Sequence, residues 1–124
     1  MLALIAVMLF MASAAHSATS QSKQTKYLVW IKDRATPVDL ADPRFEYVDT
    51  YRTSVMIGAW YDSSNAYMII ALRGTYYHHC RVPKARWDSF RSADSFGRHY
   101  NAFIKEKYDC RLGDVPSYDG RKSQ

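Results

Sequence analysis

The stretch "AYMIIALRG", Ala66 to Gly74, constrains the fold more than any other part of the chain. In an extended strand, successive side chains point to opposite faces. Met68, Ile70 and Leu72 therefore share one face, and Tyr67, Ile69 and Ala71 share the other. Both faces are apolar, so the strand belongs in the middle of a sheet. Before it, "SVMIGAWYD" is a strand by composition, and Asp62, Ser63, Ser64 and Asn65 supply the chemistry of a turn. After it, Gly74 provides a tight turn and "TYYHHCRV" returns. Three strands joined by short turns make an antiparallel meander.

At Pro83 the strand stops, because proline cannot donate to a ladder. The apolar period then changes from two to between three and four. Trp87 and Phe90 mark a short helix, with Arg91 on the same face, and "SADS" interrupts it. Ser95 caps a second helix predicted to run to about Tyr108. On it Phe96, Tyr100, Phe103, Ile104 and Tyr108 form one apolar stripe, read as core against the sheet. Gly97 falls in the first turn, where glycine costs about 1 kcal/mol against alanine. A close approach of the helix to its neighbours is the expected reason.

These elements give an α+β fold, a three-stranded antiparallel β-meander packed by two C-terminal helices. Upstream, "YLVWIK" and "RFEYVDTY" have strand composition, so the segment Tyr27 to Tyr51 is expected to add one or two strands. Between them "DRATPVDLADP" reads as loop, and "SYDGRKSQ" reads as a frayed tail. The domain division predicted is a signal peptide over 1–18, an N-terminal extension over 19–53, a core domain over 54–111 and a flexible tail over 112–124. Leu2 to Met11 is an unbroken apolar run of signal-peptide length, too short to span a bilayer, and small residues follow it. No Lys or Arg precedes that run. The expected destination is outside the cytoplasm, periplasmic or secreted. There the two cysteines, Cys80 and Cys110, read first as a disulfide.

Charge is unevenly placed. The net charge is +5. Basic and acidic residues balance from Met1 to Leu72, and they balance again after Arg111. The excess lies between Arg73 and Arg111, where Asp88, Asp94, Glu106 and Asp109 are outnumbered. That basic segment favours an anionic partner such as nucleic acid, lipid headgroups or acidic glycan.

Ser54, Tyr61-Asp62, Gly74, Tyr77, Val82-Pro83 and the series Ser95, Gly97, Asn101, Ile104 and Tyr108 together resemble the KTSC domain. That family is named for the C-terminus of some lysyl-tRNA synthetases, and it also occurs as a stand-alone bacterial protein. The resemblance implies no settled activity, although RNA binding has been suggested for the family. Tyr77 matches the first tyrosine of a central Tyr-x-Tyr, and His79 stands where the second would be.

Tyr77 and His79 project from one face of their strand. With Arg73, Arg81, Lys84 and Arg86 nearby in sequence, they form a candidate surface on which bases stack while cations meet phosphates. The opposing reading packs both rings under the helices, and strand register decides between them. His78, Cys80, His99 and Cys110 are all zinc-type ligands, yet no pair has the spacing of a zinc knuckle. There is no nucleophile elbow, no paired carboxylate and no phosphate-cradling glycine loop. Ser95 and His99 sit four apart, but a serine at a helix start is usually its cap. No cofactor, metal or small-molecule substrate is expected. The functional expectation is a non-enzymatic binding module for nucleic acid or another polyanion. The alternative is an adaptor docking an envelope protein through the aromatic surface around Trp60, Tyr76 and Tyr77, and the third reading, ranked below both, is a small hydrolase.

Overall fold

The structure is a computed structural model that describes residues 26–51, 53 and 55–119. The predicted signal peptide lies outside the described residues. The elements run β1 (Leu28–Val29), β2 (Val38–Asp39), β3 (Glu46–Val48), β4 (Met56–Asp62), β5 (Tyr67–Leu72), β6 (Thr75–His79), α1 (Lys84–Arg91) and α2 (Phe96–Phe103). A 3-10 turn over Cys110–Leu112 follows. Strands β3 to β6 form one antiparallel sheet in chain order, and β1 and β2 pair in a separate antiparallel ribbon. The expected three-stranded meander is β4 to β6, and "RFEYVDTY" adds β3 at its edge, as one of the strands expected upstream. Val38 and Asp39, read as loop from their proline-rich surroundings, pair instead with β1.

Helices cover one face of the sheet. Ala59, Tyr61, Met68 and Ile70 pack with Trp87, Phe90, Phe96, Tyr100 and Ile104. The Tyr61 hydroxyl donates to the Val82 carbonyl at 2.7 Å, and its ring stacks on Trp87. The other face carries Tyr67 and Ile69 under a second apolar cluster built from Val29, Ile31, Val38, Leu40 and Tyr118. Strand β5 is therefore buried on both sides, as its two apolar faces require.

A bulge adjusts β4. Met56 pairs with Leu72 and Gly58 with Ala71, so Ile57 has no residue opposite it. The extra residue resets the alternation, which turns both Met56 and Ala59 toward the helices and leaves Ile57 exposed. The β5–β6 turn holds Arg73 and Gly74 at positive φ, 48° and 81°. Gly74 meets that demand without a Cβ penalty.

Four expectations need correcting. The described part of the predicted tail, residues 113–119, is not simply frayed: Tyr118 is only 1% exposed, and its hydroxyl donates to Asp62 Oδ2 at 2.7 Å. Helix α2 ends at Phe103, not Tyr108. Beyond it the chain turns back through Glu106 at φ 63°, which brings Cys110 to Cys80. Phe103 is 44% exposed and lies under the Arg86 guanidinium instead of in the core. At Gly97 an added Cβ would meet nothing within 4 Å, so no close approach explains that glycine.

Candidate functional site

The predicted cluster comes apart in three dimensions. Strand β6 pairs Ile70 with Tyr77 and Met68 with His79, and both β5 residues face the helices. His79 is therefore buried, 7% exposed, with its Nε2 3.2 Å from the Tyr100 hydroxyl. Burial first, and the neighbouring His78 second, push its imidazole down to about 4, so it is neutral at ordinary pH. A ring under a helix offers no face to a base, so Tyr77 and His79 do not form an exposed stacking pair. Tyr77 itself is half-buried beside the helical core, with the Lys32 ammonium 5.7 Å from its ring.

The predicted cations divide between tasks. Arg81 donates to the Asp109 carbonyl at 2.6 Å, Lys84 pairs with Asp88 at 2.9 Å, and Arg86 lies over the Phe103 ring at 4.8 Å. Arg73 stands at the other end of β6, exposed on the β5–β6 turn. Ser95 is a cap, accepting the Arg98 N–H at 3.3 Å, while His99 lies between Phe90 and Phe103. The zinc-type residues are committed elsewhere. Cys80 and Cys110 form a disulfide with their Cα atoms 4.9 Å apart, and His78 Nδ1 is 2.8 Å from the Tyr67 hydroxyl. Among the described residues no group of three or more His, Cys, Asp or Glu could hold a metal ion.

On the outer face of the sheet, away from the helices, a row of rings crosses the strands. Tyr47 on β3 lies directly opposite Trp60 on β4, ring centroids 5.1 Å apart. Trp60 lies 5.9 Å from Tyr76 on β6, whose hydroxyl is 3.4 Å from that of Tyr27. A Cβ on Gly58 would fall 2.9 Å from ring atoms of both Trp60 and Tyr47. The two rings thus lie over bare glycine backbone, in space that a side chain at position 58 would occupy. Burial, then the hydrogen bond with Tyr27, pushes the Tyr76 hydroxyl up to about 12, so that hydroxyl stays neutral at ordinary pH. Tyr47 and Tyr27 at its two ends are 53% and 55% exposed. Trp60 and Tyr76 belong to the surface expected of an adaptor, but Tyr77 faces the helices. Tyr47 and Tyr27 escaped sequence reasoning because only tertiary pairing brings them beside Trp60 and Tyr76.

Residues 53–108 match the family model described as the KTSC domain. This stretch is a KTSC domain. The match spans β4 to just beyond α2, so the KTSC segment comprises the three-stranded meander and its helical cover. The ribbon, β3 and the Tyr118 strap lie outside it: β3 extends the sheet at its edge, and the ribbon segment and Tyr118 cover the remaining face. No curated protein and no solved structure matches the chain. Among the described residues no helix is long and apolar enough to cross a membrane.

Proposed function

We propose that this protein is an exported, non-enzymatic interaction module that docks an envelope protein on its outer aromatic strip. The observation that carries the reading is the row Tyr47–Trp60–Tyr76–Tyr27, with rings prepositioned over Gly58. Tyrosine and tryptophan dominate binding hot spots because they bury large area at little cost in rotamer freedom. Export is supported by the apolar run Leu2 to Met11 and by the disulfide, a bond that persists in oxidising compartments.

A second reading keeps the polyanion, nucleic acid included, as partner. The charge excess between Arg73 and Arg111 favours it, although the buried His79 removes its stacking element. Salt separates the two. Polyanion binding weakens steeply between about 50 and 200 mM salt because counterions are released, whereas aromatic docking does not.

The test is capture from an envelope fraction on immobilised wild-type protein and on a Tyr27→Ala/Tyr47→Ala variant of equal melting temperature. Docking on the strip predicts partners retained by the wild type at both salt concentrations and lost by the variant. Identical capture by both proteins overturns it, and capture abolished by salt alone transfers the case to the polyanion.

A further inference from the structure

Helix α2, the start of β4 and the β5–β6 turn enclose a groove of about 600 Å³ on the helical side of the sheet. That volume lies in the range of small-molecule sites. Buried Met56 and Tyr100 with half-buried Leu72 form its apolar floor. Exposed Arg73 and Arg98 line it from opposite elements, and Asn101 adds an amide. No carboxylate lines it, and neither guanidinium makes a hydrogen bond or ion pair among the described residues.

Two backbone features maintain this arrangement. Arg73 occupies the left-handed region at φ 48°, a conformation that side chains other than Gly, Asn and Asp rarely adopt. Its N–H bonds the Val55 carbonyl at 2.9 Å, which ties the turn to the approach of β4. Gly97 leaves open space where a side chain would stand, although the helix would be better served by alanine. Both residues depart from local preference, and both departures fall on the wall of the groove.

We infer that this groove binds an oxoanion, carboxylate or phosphate, carried on an apolar body. The guanidinium fork matches such oxygens bidentately, and Met56, Leu72 and Tyr100 receive the apolar part. The site is separate from the aromatic strip, and its failure would leave the docking proposal untouched.

The experiment titrates full-length isotope-labelled protein with hexyl phosphate, hexanoate and hexyltrimethylammonium, following backbone amide shifts. The expected result is saturable shifts in residues 72–74 and 95–101 with one or both anions and none with the cation. Binding by only one anion identifies the headgroup. Arg73→Ala and Arg98→Ala should each weaken binding about tenfold. Gly97→Leu, whose side chain enters open space, should preserve the spectrum of the fold and abolish binding. Absence of saturable shifts with either anion overturns the site, as does equal binding of the cation or unchanged affinity in Gly97→Leu.

Discussion

The hydroxyl of Tyr100 meets Nε2 of His79 at 3.2 Å, joining α2 to β6 through a histidine that burial keeps neutral. Its imidazole is held at about 4 in the fold, against about 6.5 in an unfolded chain. The unfolded state therefore takes up the proton first as pH falls. Stability is fully present above about pH 6.5 and is lost progressively down to about pH 4. At pH 4.5 the loss from this group is about 2 to 3 kcal/mol. His78 is shifted down by burial as well and adds to the trend. In His79→Gln, which can bond Tyr100 but does not titrate here, urea melts at pH 7 and pH 4.5 should differ by correspondingly less. An unchanged pH dependence in that variant would rule out the histidine as its source.

Asp62 anchors the C-terminal strap. Burial alone would raise its carboxyl, but hydrogen bonds from Ser64, Asn65 and Tyr118 outweigh it and hold the group below its usual range. Tyr118 also stacks on Tyr67 and lies under the Arg44 guanidinium. Tyr118→Phe should cost about 1 to 2 kcal/mol, the loss of a hydrogen bond to a charged group. Tyr118→Ala should cost about 3 to 5 kcal/mol, as truncation of a buried aromatic does. Denaturant melts decide this, and a neutral Tyr118→Ala would restore the frayed tail.

The Cys80–Cys110 bridge has a sequence separation of 30. Closing a loop of that size constrains the unfolded chain by roughly 3 to 4 kcal/mol in the entropic account. Protein recovered from an oxidising compartment should weigh two hydrogens less than its reduced form. Cys80→Ala/Cys110→Ala should melt lower by a comparable free energy. Free thiols in the exported protein would contradict the pairing.

Two glycines should respond oppositely to alanine. Gly97→Ala adds a methyl to open space within a helix and should stabilise by about 0.5 to 1 kcal/mol. Gly58→Ala puts its methyl 2.9 Å from the Trp60 and Tyr47 rings and should displace them, shifting tryptophan fluorescence and weakening partner capture. Unchanged fluorescence and capture in Gly58→Ala would mean that the rings are not held by the bare backbone.

Local chemistry made much of the fold legible. The double apolar face of Tyr67–Leu72, the Asp62–Asn65 turn, Trp87 and Phe90 on α1, and the Ser95 cap all lie within a few residues of their causes. The site was far less legible. Arg73 and Arg98 are 25 positions apart in the numbering, and Tyr27 is further still from Tyr76. Nothing local signals that the fold brings such residues together. Helix α2 ends at Phe103, and the chain then turns back through Glu106 and brings Cys110 to Cys80, a path that periodicity does not carry.

By itself, the amino-acid order determined a central strand needing cover on both sides, an amphipathic helix to supply one cover, and a sulfur pairing with no competitor. Tertiary structure decided what supplied the second cover, namely the Val29–Leu40 segment and Tyr118. It also decided which way β6 faces. Shifting a strand by one residue exchanges its faces. The partner across the ladder therefore chose between His79 buried under Tyr100 and His79 in water.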